Sequence, residues 1–160
     1  MPSYGLQHLK KLGVAASFYA VFDGHTGDKC SDFMAKNLHK YIAKELNKHV
    51  GTPLTSELVE AAIVQACSLV DKEWLRLAKI RKARDGCCCI AALILGSRLF
   101  VVNVGDSRAV VSTKDVATVS APSPPSSERS GIAQTCNALP SAPMGSAKEG
   151  RERRILHNAE

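Results

Sequence analysis

The sequence predicts an α+β fold in which antiparallel strands are flanked by two helices. Residues 17–22 are apolar and aromatic, as in a buried strand, and Gly24 ends the run. Two long segments with apolar residues at helical spacing follow, and after them two apolar runs, 88–95 and 98–104, are separated only by Gly96-Ser97. Because a two-residue turn joins antiparallel neighbours, these last runs predict a hairpin.

The two helices are predicted over 29–48 and over a segment that begins after Thr55 or Ser56. Gly51-Thr52-Pro53 separates them. We expect Thr26 and Asp28 to cap the first helix, because short oxygen-bearing side chains accept from the free N–H groups of a first turn. The apolar stripes are formed by Phe33, Met34, Leu38, Tyr41, Ile42 and Leu46 in the first helix, and by Val59, Ala62, Ile63, Ala66, Leu69, Val70, Trp74 and Leu77 in the second.

The sheet is expected to continue after residue 104, and the character of the chain then changes. Gly105-Asp106-Ser107 predicts a second tight turn, and Ala109 begins a third strand of the same antiparallel meander. Proline, serine and alanine dominate after Lys114, without a sustained helix or strand period. The predicted organisation is therefore a domain over 1–114 and a disordered tail over 115–160.

Charge and composition exclude several classes of partner. The net charge of +6 is spread along the chain, and its densest basic cluster is Lys79, Arg81, Lys82 and Arg84. These cations complement the dipole at a helix end, although contact with an acidic partner or a phosphate is the alternative. Because no aromatic residues lie among them, we expect no nucleic-acid binding. No apolar run approaches the length of a membrane span, so no membrane partner is expected.

The six cysteines form no Cys-x-x-Cys pair, so a zinc site is not predicted. Cys87, Cys88 and Cys89 stand in an apolar run, where cysteine behaves as a small hydrophobe. A reactive thiol at Cys87 is the less favoured alternative. Cysteines expected to act as buried apolar residues and the absence of a signal-peptide pattern predict a reducing compartment, the cytoplasm or the nucleus.

Two acidic residues are placed at strand ends, where they suggest a site for a hard cation. Asp23 and His25 follow the first strand, and Asp106 follows the strand over 98–104. Carboxylates suit magnesium or manganese, and a nearby imidazole can donate a proton to a leaving group. Free N–H groups at the helix start after Gly27 favour an anion. Taken singly, the same residues have ordinary explanations, since Asp-Gly is common in turns, a lone histidine is usually structural, and Asp106 can bond its own turn.

Together these residues resemble a known family. Val21-Phe22-Asp23-Gly24-His25-Thr26-Gly27 is similar to the Val-Phe-Asp-Gly-His-Gly-Gly motif of the type 2C (PPM) metal-dependent protein serine/threonine phosphatases. Asn103-Val104-Gly105-Asp106-Ser107-Arg108-Ala109 is similar to their Asn-x-Gly-Asp-Ser-Arg-Ala motif. Two helices, then Asp85-Gly86-Cys87 and two strands, separate the motifs in the family's order. The resemblance covers residues 14–114.

The resemblance implies an antiparallel β-sandwich flanked by helices and an activity on phosphoserine and phosphothreonine in phosphoproteins. It implies that Asp23 bridges two magnesium or manganese ions and that the Gly24 carbonyl binds one of them. His25 is implied as the general acid, and Asp106 lies near a further, weaker metal position. The resemblance further implies that a metal-activated water would attack phosphorus in line. The implied catalytic residues are therefore His25 and Asp23, and the implied metal ligands are Asp23, Gly24 and Asp106.

The sequence departs from the family pattern in three places. Thr26 replaces a usual glycine, a change expected to have little effect. The family's Arg and Met-Glu-Asp segments have no counterpart before Ser17, and its later Asp-Gly and Asp-Asn segments have none after Asp106. These segments supply phosphate and metal ligands, so we expect weak metal binding and little activity from a partial, or truncated, member, together with exposed sandwich edges.

Three interpretations follow from this partial resemblance. The first is a phosphatase domain, or the first half of one, whose parent hydrolyses phosphoproteins. The second is a catalytically inactive fragment or pseudophosphatase that acts as a binding module. The third is that the sequence after Asp115 comes from a misassigned reading frame. The oligomeric state is not predicted by the sequence.

Overall fold

The computed structural model describes residues 4–5, 13–112 and 117–119. Two helices and six strands lie in these ranges, in the order β1 (Tyr4–Gly5), β2 (Ala16–His25), α1 (Lys29–Asn47), α2 (Ser56–Arg81), β3 (Gly86–Leu95), β4 (Arg98–Val104), β5 (Val110–Ser112) and β6 (Ala117–Val119). Helices combined with antiparallel strands confirm the predicted fold class. No helix in the described ranges has the length and apolar character that a membrane crossing requires.

Four strands form one antiparallel sheet in the order β1-β2-β3-β4. The central pair, β2 and β3, runs in continuous register from Ala16↔Leu95 to His25↔Gly86. The strand predicted over 17–22 is therefore longer than expected and includes Asp23, Gly24 and His25. Pairing with the start of β3 holds these three residues extended, although glycine alone is a weak strand former.

The two helices lie close to their predicted positions. Thr55 begins α2 as an N-cap, since its hydroxyl accepts from the Leu58 N–H at 3.3 Å. At the other end, Lys82 adopts a left-handed conformation with φ of 50° and its N–H donates to the carbonyls of Ala78 and Lys79. The break between the helices contains Gly51, whose φ of 87° suits glycine.

One face of the sheet and the two helices enclose the main core. Side chains alternate along a strand, so every second residue of β2, β3 and β4 points to the helices. Burying one large apolar side chain here contributes about 2–3 kcal/mol before the loss of conformational entropy is subtracted. The largest fully buried side chains of this core are Trp74, Phe18, Phe100, Met34, Ile42, Leu46, Ile63, Leu93, Val59, Val70 and Val102.

The opposite face of the sheet carries a second, smaller apolar cluster. Ile90 and Val101 lie there with Ala109, and Val111 of β5 packs against them. The predicted third strand of the meander is wrong in its pairing, because β5 pairs with β6 and not with β4. The chain leaves β4 through Gly105, whose φ of 104° belongs to glycine, and a Cβ at that residue would overlap the Cys88 thiol.

The predicted boundary at residue 114 and the predicted tail over 115–160 lie outside the described residues, except for 117–119. Those three residues form β6, which runs antiparallel to β5 from Val110↔Val119 to Ser112↔Ala117. The pairing gives β5 a partner on the sheet face that the helices leave uncovered. The domain boundary remains a prediction.

Candidate active site

The end of β2 presents Asp23 and His25 on one face of the sheet. The two residues are two positions apart in the strand, so their side chains point to the same face, and both are exposed. Their face is opposite to that of Phe22, which packs into the helix-covered core. The structure therefore brings the predicted carboxylate and imidazole together on the side of the sheet that faces away from the helices.

His25 lies directly over Gly86, its partner across the β2–β3 pair. A Cβ added at Gly86 would overlap Nε2 of the His25 imidazole. Glycine at position 86 thus leaves the space that the ring occupies. In the sequence, Gly86 stands out only as part of the segment Asp85-Gly86-Cys87, and the strand pairing supplies the reason for a glycine there.

Asp106 joins the same face from the turn after β4. Its Oδ1 accepts a hydrogen bond from the Cys88 thiol at 3.1 Å. This bond lowers the pKa of the Asp106 carboxyl, with help from the residue's own backbone N–H and smaller contributions from His25 and Arg108. Burial is the main cause that raises the pKa of the Cys88 thiol, and the charges of Asp106 and Asp23 act in the same direction.

Cys88 is therefore a site residue that the sequence analysis missed. In a strand, neighbouring side chains point to opposite faces, so Cys88 lies with Ile90 on the site side, while Cys87 and Cys89 point to the core. The register Asp23↔Cys88 was the signal that would have identified it. Cys87, the thiol considered in the sequence analysis, is buried beside Cys30, and the hydrogen bond between them, with burial, raises its pKa.

The end of β2 and the loop from Thr26 to Asp28 turn the chain into α1 in a confined space. A Cβ at Gly24 would lie 2.7 Å from Ser31 Oγ and 2.9 Å from the Gly27 carbonyl oxygen. Thr26 has a φ of 62°, in the left-handed region that β-branched residues avoid. The expectation that threonine at this position has little effect is therefore at odds with the structure, because the loop geometry favours glycine there.

Asp85 caps α1 in place of the predicted residues. Asp28 occupies the N-cap position but its side chain makes no capping hydrogen bond. Instead, Asp85 Oδ2 accepts from the Lys29 N–H at 3.0 Å, and the Asp85 carbonyl accepts from Trp74 Nε1 at 3.3 Å. The helix start after Gly27, whose free N–H groups are expected to favour an anion, thus has one N–H, that of Lys29, bonded to a carboxylate of the protein itself.

The oxygen donors suit a hard cation, but they do not complete a site. Carboxylates of Asp23 and Asp106 and the Gly24 carbonyl are the ligand types that magnesium and manganese prefer. Within the described ranges, however, no group of three or more His, Cys, Asp or Glu side chains is arranged to hold a metal ion. The described residues therefore offer ligands of the type that the cation prefers, but too few of their side chains are grouped to form a complete site.

Comparison with known proteins identifies the family. The profile of the family described as protein phosphatase 2C matches residues 5–129. The chain is 39% identical over 101 residues to probable protein phosphatase 2C 25 of Arabidopsis thaliana, covering 63% of this chain and 24% of that protein. It is 33% identical over 102 residues to the integrin-linked kinase-associated serine/threonine phosphatase 2C of Bos taurus, covering 62% and 27%.

A solved structure agrees in fold. A C. elegans sex determining protein superposes with a TM-score of 0.59 at 22% sequence identity, covering 72% of this chain and 28% of that one. The chain spans about a quarter of the length of the curated relatives it matches, as the 21% coverage of probable protein phosphatase 2C 14 of Arabidopsis thaliana also shows. The family profile covers most of the sequence, and the chain belongs to the metal-dependent protein phosphatase 2C family.

Proposed function

We propose that this chain takes part in the metal-dependent hydrolysis of phosphoserine and phosphothreonine in phosphoproteins. The observation that carries the proposal is the shared face of Asp23, His25 and Asp106, which come from two separate motifs. Asp23 and His25 lie two residues apart on the same face of β2. Asp106 joins this face by accepting a hydrogen bond from the thiol of Cys88, the residue that pairs with Asp23. Membership of the protein phosphatase 2C family supports the same reaction class.

In this proposal Asp23, the Gly24 carbonyl and Asp106 offer oxygens to magnesium or manganese. The cation, when bound, supplies an activated water and neutralises phosphate charge. His25 donates a proton to the departing serine or threonine oxygen, a role for which its exposed position at the strand end leaves access to a substrate. Gly86 keeps the imidazole above the sheet, because no side chain competes for its space.

The test is a phosphothreonine-peptide assay with and without manganese, run on the 160-residue chain beside the longest expressed product of the same gene. We expect low turnover from the 160-residue chain, since its described residues assemble no three-ligand metal group. Asp23→Asn should abolish whatever manganese-dependent turnover is measured. Asp32→Asn is the matched control, because Asp32 is exposed on α1 and its contact is a 3.4 Å ion pair with Lys36. Robust turnover that survives Asp23→Asn would contradict the proposal.

A second candidate function is phosphoprotein binding without turnover. The incomplete set of metal ligands in the described ranges favours it. Fluorescence anisotropy with a labelled phosphothreonine peptide and its unphosphorylated counterpart distinguishes the two functions. Selective binding of the phosphorylated peptide, with no phosphate released over hours in manganese, supports a binding module. Release of phosphate excludes binding without turnover.

A further inference from the structure

Two cysteines outside the candidate active site contact each other through their sulfur atoms. Cys30 lies in the first turn of α1 and Cys87 is the second residue of β3. Their Sγ atoms are 3.4 Å apart, and the side chains are 0% and 4% exposed. The proposed phosphatase chemistry uses neither thiol, so the contact needs a separate explanation.

We propose that Cys30 and Cys87 form a redox modification site, in which a hydroperoxide oxidises the two thiols to a disulfide. One thiol loses its proton and its sulfur attacks the peroxide oxygen, which gives a sulfenic acid and one water from hydrogen peroxide. Because the hydrogen bond with Cys30 and burial raise the pKa of the Cys87 thiol, this step is expected to be slower than at an exposed cysteine. The second sulfur then displaces the hydroxyl group, which leaves as the second water. Two thiols and one peroxide yield one disulfide and two waters, so atoms and electrons balance. The inference does not depend on the proposed function.

The geometry selects this pair from the other cysteines. The Sγ atoms of Cys30 and Cys87 are 3.4 Å apart and a disulfide bond is about 2.05 Å long, so the two sulfurs must approach by about 1.4 Å. Cys88 is the sequence neighbour of Cys87, but it points to the opposite face of the sheet and bonds Asp106. Cys89 shares the face of Cys87 and lies two residues further along β3.

The bridge would strengthen a junction that hydrogen bonds already hold. Asp85, two residues before Cys87, accepts from the N–H of Lys29, the residue before Cys30. A disulfide here closes a loop across a sequence separation of 57 residues and ties the start of α1 to β3. The loop from Thr26 to Asp28 enters α1 at this point. Oxidation is therefore expected to slow amide exchange in the first turn of α1 and to raise the thermal unfolding midpoint by about 5 °C or more.

The experiment maps disulfides in the folded chain after treatment with hydrogen peroxide. Remaining thiols are alkylated, the chain is digested with trypsin without reduction, and cross-linked peptides are identified by mass. Cleavage after lysine and arginine places Cys30 in the peptide 30–36 and Cys87, Cys88 and Cys89 in the peptide 85–98. We expect these two peptides joined, with a loss of two hydrogens, and separated again by a reducing agent.

Variants that each lack one cysteine identify the two residues that form the disulfide. Cys30→Ala and Cys87→Ala should lose the cross-linked peptide, whereas Cys88→Ala and Cys89→Ala should retain it. Cys67→Ala is the matched control, since Cys67 is a buried cysteine of α2. If the wild-type chain gives no joined 30–36 and 85–98 peptides, or if Cys87→Ala still gives them, the proposal is overturned. If Cys87→Ala does not fold, the wild-type chain and the separate variants Cys88→Ala and Cys89→Ala still test the proposal, because all three should give the joined peptides.

Discussion

The two faces of the sheet differ in composition and in what they contribute. The face that packs on the helices is almost entirely apolar and buried, with Phe18, Leu93 and Phe100 among its members. The opposite face has a small apolar cluster around Ile90, and at its end the titratable groups of Asp23, His25, Cys88 and Asp106. Strand alternation separates the residues of β2, β3 and β4 into these two sets, and Asp106 joins the second set from the turn after β4.

This separation suggests that stability and chemistry can be changed independently. Substitutions on the helix side should alter the free energy of unfolding strongly, because each removes buried apolar contacts. Substitutions on the site side should move charges and side chains with a smaller effect on stability, since the groups there are largely exposed. Single substitutions at named positions test this contrast.

Trp74→Ala should have the largest effect on stability. Trp74 is 1% exposed, its ring centroid is 5.6 Å from that of Phe33, and its Nε1 donates to the Asp85 carbonyl. Truncation of a buried aromatic residue costs about 3–5 kcal/mol in the free energy of unfolding. Leu75→Ala is the control, because Leu75 is 38% exposed and its truncation should cost less than about 1 kcal/mol. Urea unfolding measures both, and equal losses would contradict the contrast between buried and exposed positions.

Asp71→Asn should stabilise the chain at neutral pH. Asp71 is 6% exposed on α2, and its Oδ1 has no hydrogen-bond partner among the described residues. Burial raises the pKa of Asp71 from 3.8 to about 6. At pH 7 the folded chain must hold a buried carboxylate, so the neutral amide is expected to add about 2 kcal/mol to the free energy of unfolding.

The raised pKa of Asp71 makes its contribution to the free energy of unfolding depend on pH. Between pH 3.8 and about 6 the folded carboxyl holds its proton more strongly than the unfolded one. The contribution of Asp71 to stability is therefore fully present below pH 3.8 and is lost as the pH rises through about 6. The difference in unfolding free energy between Asp71→Asn and wild type should grow over this window. Urea midpoints at pH 4 and pH 7 measure it, and a constant difference would contradict the assignment.

The sequence was sufficient for those parts of the fold that depend on local periodicity. The apolar stripes of α1 and α2 and the hairpin of β3 and β4 follow from spacing and from Gly96-Ser97, and the structure confirms them. The pairing of β5 was not predictable in this way, because it depends on which face of the sheet the chain crosses after Gly105. Turn residues in a sequence predict that the chain reverses direction, but they do not predict which strand the next segment pairs with.

The residues of the candidate site come from sequence motifs, whereas their surroundings come from the fold. Asp23, His25 and Asp106 lie on one face of the sheet, and their roles stay predictions. In the cap of α1, Asp85 accepts from the N–H of Lys29, 56 positions away, so no local sequence pattern predicts it. Cys88 was missed for a related reason, since its role follows from β2–β3 register and not from the run of three cysteines.

Thr26→Gly should stabilise the loop between β2 and α1. Thr26 has a φ of 62°, a conformation that costs an L-residue about 1–2 kcal/mol, while glycine loses about 0.5–1 kcal/mol more entropy on folding. The expected net gain is about 0.5–1 kcal/mol. Thr52→Gly is the matched control, because the Thr52 hydroxyl donates to the His49 carbonyl at 2.6 Å and its φ is not positive. Thermal unfolding should therefore show a higher midpoint for the first variant and a lower one for the second.

Gly86→Ala should have the smallest effect on stability and a clear effect on His25. The new Cβ would overlap Nε2 of the imidazole, which lies at the end of an exposed side chain and can rotate away. The free energy of unfolding should change by less than about 1 kcal/mol, while the ring resonances of His25 shift in NMR spectra. A double-mutant cycle with His25→Ala isolates the contact, since Gly86→Ala should then lose its effect. If Gly86→Ala destabilises the chain equally in both backgrounds, the added methyl disturbs the backbone of β3, and Gly86 has no particular part in positioning the imidazole.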